Sequence, residues 1–220
     1  MLILKTVNAD MTSYNGFRWP ESGPVVAPDW NPARECGGGL HGLPWGEGDG
    51  RLLDRSEKAR WIVFEASETD VVCFGGKCKA PRGVVLHVGD QKSATDYILA
   101  NGGAGHAVAC ASVSVGNYGT ATAGCLGTAT AGDYGTATVG DDGTATAGDY
   151  GTATAGDDGT ATAGYRGTAT VGKWGTAVAG DAGTAIAGDY GTATAGDGGT
   201  ATAGCRGTAT AGDKGTATAG

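Results

Sequence analysis

From Gly119 to Gly220 one octapeptide, Gly-Thr-Ala-Thr-Ala-Gly-x-x, returns every eight residues with few edits, and residues 127–151 read GTATAGDYGTATVGDDGTATAGDYG. A fixed short period marks a repeat architecture, in which each unit packs only against its neighbours. Glycine recurs too often for a helix. Thr120, Ala121, Thr122 and Ala123 alternate with the period of a strand, and Gly-Asp-x-Gly is turn chemistry. A flexible linker of this composition has no reason to keep its register through so many copies. The repeat predicts short stacked strands joined by tight turns.

Substitutions within the repeat say which side faces inward. Val113, Val115, Val139 and Val171 occupy Ala slots, whereas only Val178 and Ile186 occupy a Thr slot. The Ala side is therefore expected inside and the Thr side outside. Tyr118, Tyr134 and Tyr150 recur every sixteen residues, with Asp142 and Asp158 in the alternate units. This favours two units per coil over three, with the tyrosines stacked as a ladder on one edge. Tyr190 falls in the other phase. About six coils at ~4.8 Å each give a rod near 30 Å long. Cys125 and Cys205 then lie about five coils, or ~24 Å, apart, too far for a disulfide. The seventh-position carboxylates, Asp133 and Asp149 on one edge and Asp141 and Asp157 on the other, form like-charge columns. Those columns cost stability unless solvent, cations or turn hydrogen bonds relieve them.

The rest of the chain is unlike the repeat. Four of the five Trp and all three Phe precede Gly119, so this part can bury an ordinary core. Strands are expected at Leu2–Val7 and at residues 61–66, 70–74 and 83–88. Gly75-Gly76 between Cys73 and Cys78 fits a hairpin tip. Asp90 is an N-cap candidate for a helix that ends at Asn101-Gly102-Gly103. Residues 15–54, rich in Gly, Pro and Trp, read as packed loops. The boundaries expected are a small α+β domain at 1–102, a capping segment with a first irregular coil at 103–118, and a parallel β-solenoid of octapeptide units at 119–220. The class is mainly β.

One patch invites chemistry: Glu35-Cys-Gly-Gly-Gly-Leu-His41-Gly-Leu-Pro-Trp45. Cys36 and His41 would suit a thiol nucleophile with a nearby base, or a Gly-lined pocket for an anion. The plainer reading is a tight loop whose glycines permit close packing. The six Cys form no C-x-x-C pair and the three His are scattered, so no metal site and no cofactor are expected. Cys36-Gly-Gly-Gly-Leu-His41-Gly, Trp61-Ile-Val-Phe-Glu and Gly75-Gly-Lys-Cys-Lys together resemble a small bacterial and phage domain of unknown function over residues 1–101. That resemblance implies no activity.

The formal net charge is -8, with 4 basic and 10 acidic residues from Gly119 onward. Without clustered Lys and Arg, nucleic acid and anionic membrane are excluded as main partners. No apolar run reaches the length of a membrane span, and residues 1–7 lack a signal-peptide core, which places the chain in the cytoplasm. Residues 147–156, Ala-Gly-Asp-Tyr-Gly-Thr-Ala-Thr-Ala-Gly, are similar to the repeats of bacterial ice-nucleation proteins. That resemblance implies sixteen-residue coils and a ladder of Tyr118, Tyr134 and Tyr150. It also implies an ice-facing role for Thr120, Thr122, Thr128, Thr130, Thr136, Thr138, Thr144, Thr146, Thr152 and Thr154. This array is far shorter than a nucleator's.

The residues themselves read first as a non-enzymatic module for structure and self-assembly. Thr216 and Thr218 in the last, uncapped coil form an open edge for end-to-end association with a second copy. The first end is expected to be capped by the helix and by residues 106–114. Ice or ordered water bound by the Thr arrays is the alternative. An enzyme or effector centred on Cys36 and His41 is the second alternative.

Overall fold

The computed structural model describes residues 1–13 and 16–220, which form two compact units, Met1–Ala111 and Ser112–Gly220. The first unit is one seven-stranded sheet. Its strands are β1 (Leu2–Val7), β2 (Gly23–Val26), β3 (Leu40–Pro44), β4 (Arg60–Glu65), β5 (Val72–Phe74), β6 (Lys77–Ala80) and β7 (Arg82–Gly89). They lie in the order β2-β7-β4-β1-β3-β6-β5, and every pairing is antiparallel. Strand β1 is central, and Leu2, Ile3 and Leu4 are all buried. Ile3 joins Trp19, Ile62, Phe64 and Val85 in the main core. Leu4 meets Ile98 and Val108 around Gly46. Ile98 ends the helix α1 (Gln91–Ile98).

That helix starts where the sequence places it. Asp90 Oδ1 accepts the Ser93 N–H at 2.8 Å, and Ser93 Oγ accepts the Asp90 N–H at 3.0 Å, a reciprocal cap that satisfies two otherwise orphaned donors. The Cys73/Cys78 hairpin is also present, with the two cysteines directly opposite each other. Residues expected as loops contain β2 and β3. Their composition hides them for a physical reason. β2 is the outer strand of the sheet, where Pro24 forfeits no essential ladder bond. β3 needs Gly42, because a Cβ there would come 2.6 Å from the Leu4 carbonyl oxygen. Tyr14 and Asn15 lie outside the described residues.

The second unit is a parallel β-solenoid with sixteen residues per coil. One sheet stacks β8 (Ser112–Ser114), β10 (Thr128–Ala131), β12 (Thr144–Ala147) and every second strand on to β20 (Thr208–Ala211). The other stacks β9 (Thr120–Thr122), β11 (Thr136–Thr138), β13 (Thr152–Ala155) and onward to β21 (Thr216–Ala219). Pairing is in register at an offset of sixteen: Thr128 opposes Thr144, and Ala129 opposes Ala145. The irregular segment Ser112–Ser114 is already part of the stack, opposite Thr128, Ala129 and Thr130.

The alanines face inward as the substitutions indicate. Ala129, Ala145, Ala161 and Ala177 are fully buried, and Val139 and Val171 take the same inward slots. An alanine interior brings little apolar area out of water, so hydrogen bonds between coils carry much of the stability. The backbone ladder continues through the turns: Tyr150 N–H donates to the Tyr165 carbonyl at 2.8 Å and Thr152 N–H to the Gly135 carbonyl at 2.9 Å. The Asp columns add a second ladder. Asp133 Oδ1 accepts the Asp149 N–H at 3.0 Å, and Asp149 Oδ1 accepts the Tyr165 N–H at 2.8 Å. On the other edge Asp141 accepts from Asp157, and Asp157 from Lys173. Turn hydrogen bonds are thus what relieves the like-charge columns. Gly148 makes room for this, since a Cβ there would sit 2.3 Å from Asp133 Oδ1.

Asn117 occupies the same position and its Oδ1 accepts the Asp133 N–H at 3.0 Å. Asp149→Asn should therefore keep the bond and leave stability nearly unchanged. Asp149→Ala should cost about 1 kcal/mol, the net worth of one such hydrogen bond. Urea unfolding of the two variants beside the parent checks this; equal losses would remove the side-chain ladder from the account. Among the described residues, no helix is long and apolar enough to cross a membrane.

Candidate functional site

The threonines form two arrays, one on each sheet. Most strands present two Thr on the outer side, exposed or half-buried, separated by a buried Ala; β8 carries Ser112 and Ser114 instead, and the intervening Ala is half-buried in β20 and exposed in β21. Zero-offset pairing stacks them into columns. Neighbours in a column are about 4.8 Å apart, and the two columns of a face are about 6.6 Å apart. Seven strands per sheet make each face about 29 Å long. Thr128, Thr130, Thr144 and Thr146 lie on one face. Thr120, Thr122, Thr136, Thr138, Thr152 and Thr154 lie on the other. The ten candidates are therefore two sets that face apart. Each face carries one apolar interruption in its second column, Val178 or Ile186. Thr216 and Thr218 sit on β21, whose four residues are exposed and which is the outermost strand of its sheet.

The edges carry aromatic columns. Tyr118 and Tyr134 stack with centroids 5.1 Å apart and planes 8° apart, and Tyr134 and Tyr150 stack at 4.9 Å and 3°. The column ends where Tyr165 meets Tyr150 edge-on at 5.7 Å, with the Arg166 guanidinium over both rings. The opposite edge holds a second column that the tyrosine spacing did not reveal. Trp174 stacks on Tyr190 at 5.8 Å, and Arg206 lies over Tyr190 and donates to its hydroxyl at 3.4 Å. These three are also sixteen apart, but their residue types differ, so no repeated letter marks them.

Apart from Tyr165, which is at the seventh position, these edge residues occupy the eighth position of the unit, where the backbone is left-handed. φ is 57° at Tyr134, 56° at Trp174, 55° at Ala182 and 56° at Arg206. This conformation costs a non-glycine residue about 1–2 kcal/mol, and only Gly198 avoids it in the turns. The aromatic and arginine side chains retained there offset that cost through stacking.

Among the described residues, no hydrogen bond joins Cys36 to His41. Cys36 is exposed, and Lys77 Nζ donates to its Sγ at 3.1 Å. His41 lies on β3, and among the described residues neither ring nitrogen has a hydrogen-bond partner.

Residues 1–99 match a family described as Domain of unknown function (DUF7666). An ice nucleation protein of Xanthomonas campestris pv. translucens is 39% identical over 103 residues, 46% of this chain and 7% of the relative. One from Pseudomonas syringae is 40% identical over 101 residues, 45% of this chain and 9% of the relative. Ice nucleation protein InaU of Pantoea ananas is 39% identical over 101 residues, 45% and 10%. The chain thus spans a tenth or less of the length of these relatives. No solved structure matches.

The left-handed positions give a paired prediction. Ala182→Gly removes a strained side chain that stacks on nothing and should stabilise the chain by about 0.5–1 kcal/mol. Tyr134→Gly relieves the same strain but loses two ring stacks, each worth about 0.5–1.5 kcal/mol, and should give no gain. Thermal unfolding of the two variants separates them.

Proposed function

We propose that this chain binds ice or ordered water through the flat Thr arrays of its solenoid. The observation that carries the reading is the in-register grid itself. Hydroxyls and methyls repeat at fixed spacings on a backbone that is hydrogen-bonded from coil to coil. A rigid grid holds water at set positions without ordering side chains anew, because a Thr on a strand is stiff about χ1. The similarity to ice nucleation proteins supports the same reading.

Association between copies is the second reading. One observation favours it: Tyr118, Tyr134 and Tyr150 stack while remaining 77%, 52% and 42% exposed, and exposed aromatic strips suit a partner surface.

Ice shaping and thermal hysteresis of the full chain test the first reading. Replacing Thr144, Thr146, Thr160 and Thr162 with Lys should abolish the contribution of one face. Replacing Thr152, Thr154, Thr168 and Thr170 should abolish that of the other. Circular dichroism checks that both variants stay folded. Crystals left unshaped by the parent, or shaped equally by a variant altered on both faces, would overturn the reading. Sedimentation of the parent beside Tyr134→Ser tests the second.

A further inference from the structure

The seven-stranded unit holds a cavity of about 780 Å³ lined by Lys5, Phe17, Trp19, residues 36–39, His41 and Lys77. A smaller pocket of about 140 Å³ adjoins the same three basic side chains, Lys5, His41 and Lys77. Asp29 is the one acidic residue lining either space, and its Oδ1 is already taken by the Gly39 N–H at 3.1 Å.

Among the described residues, none of the three basic groups forms an ion pair with a carboxylate. Lys5 Nζ lies 5.6 Å from the centre of the Trp19 ring, and among the described residues no carboxylate pairs with it. Lys77 reaches the Cys36 thiol and the Phe74 ring. Both ring nitrogens of His41 are buried and make no hydrogen bond of good geometry among the described residues, although the Gly37 backbone lies close enough to act on the ring. Lys79 behaves differently: it is fully buried, but its Nζ donates to the Glu35 and Gly37 carbonyls, both at 2.9 Å. It fixes the loop and is spent doing so. Unpaired buried polar and charged groups are costly, and a packed fold collects three basic groups around one cavity at a standing penalty.

The penalty shows in the titration of Lys5 and His41. Burial, then the charge of Lys77, lowers Lys5 to about 8. Burial, then the charges of Lys77 and Lys5, lowers His41 below the usual histidine range. The wall is also fixed in place. A Cβ at Gly38 would lie 2.7 Å from the Asn31 Cβ and the Asp29 carbonyl oxygen, and one at Gly39 would lie 3.1 Å from the Trp30 ring. The loop is thus packed hard against residues 29–31, and the space beside it is part of the fold.

We propose that this cavity binds a small organic anion, its carboxylate or phosphate head held by Lys5, His41 and Lys77. The volume exceeds what an inorganic ion fills, so the head carries an organic body that extends past Phe17 towards the loop of residues 36–39. An anion supplies the counter-charge that Lys5 and Lys77 lack and an acceptor for the His41 N–H. The neutral imidazole donates from one nitrogen, and the two ammonium groups give charge-assisted bonds.

The test uses the full chain with phenyl phosphate and benzoate as probes and benzyl alcohol as the uncharged control, at constant ionic strength. His41 ring resonances and the unfolding temperature are read together. A saturable shift with either anion and none with benzyl alcohol is expected, and which anion responds identifies the head group. Lys5→Met should fold, since it removes a buried charge, and should bind about 10- to 100-fold more weakly. Lys77→Gln should weaken binding in the same direction. Without ligand, the parent should gain stability relative to Lys5→Met as pH rises from about 8 towards about 10.4, because the unfolded chain then binds the extra proton. Bound phenyl phosphate should move that gain to higher pH. No saturable shift with either anion, or equal affinity in the parent and Lys5→Met, would overturn the proposal.

Discussion

The hydrogen bonds that run from each coil to the next, sixteen residues along, are what the rest of the repeat is arranged around. An alanine interior cannot supply the burial energy of a leucine core, where one side chain is worth about 1.5–3 kcal/mol. Small side chains instead let the two sheets approach and keep every coil alike. The remaining positions then serve the ladder. At the turns that carry Asp, the preceding glycine leaves space for the carboxylate of the coil below, and that carboxylate accepts an amide of the coil above. Because each coil touches only its neighbours, the defect left by one lost bond is local while the sum over coils is large.

The eighth position departs from this economy. A glycine there would suit the left-handed backbone, yet Tyr, Trp, Arg, Lys, Leu and Asp stand in its place at φ between 52° and 62°. Where these residues are aromatic, stacking follows from the coil spacing, since rings on adjacent coils meet at 4.9–5.8 Å, near the strand separation itself. The same geometry that sets the Thr columns sets the aromatic columns. The two kinds of surface are therefore coupled: a change in coil pitch would disturb both.

How much of this is legible in the sequence depends on the range of the interaction. Inward Ala and outward Thr follow from alternation, and the sixteen-residue coil follows from Tyr118, Tyr134 and Tyr150, because both signals are periodic along the chain. Trp174, Tyr190 and Arg206 obey the same period, but chemical variety hides it. The helix start at Asp90 is local and so is readable. β2 and β3 are not, because Pro24 is tolerated only at an outer strand and Gly42 is required only by the approach of Leu4. The loop of Cys36 and His41 stands out by composition. Lys5 and Lys77 do not, since nothing along the chain says that β1 and β6 deliver them to the same cavity. Lys5 even reads as an ordinary polar residue in the alternation of Leu2–Val7.

Uniform register is where the thin interior acquires a consequence for the proposed function. In a solenoid filled with large side chains, differences in volume from coil to coil tilt the strands and disturb the outer rows. Here the inward slots hold Ala almost throughout, and Val139 and Val171 are absorbed at 4% exposure without a shift of register: Val171 still opposes Ala155 and Ala187. Outer threonines therefore repeat as regularly as the backbone does. A surface meant to meet a flexible protein partner gains little from such regularity, since side chains on both sides can adapt. A surface meant to meet a lattice gains from every coil that keeps the spacing, and loses where Val178 or Ile186 breaks the row of hydroxyls. The constraint that makes the repeat so poor in chemistry is the one that makes its outer faces uniform.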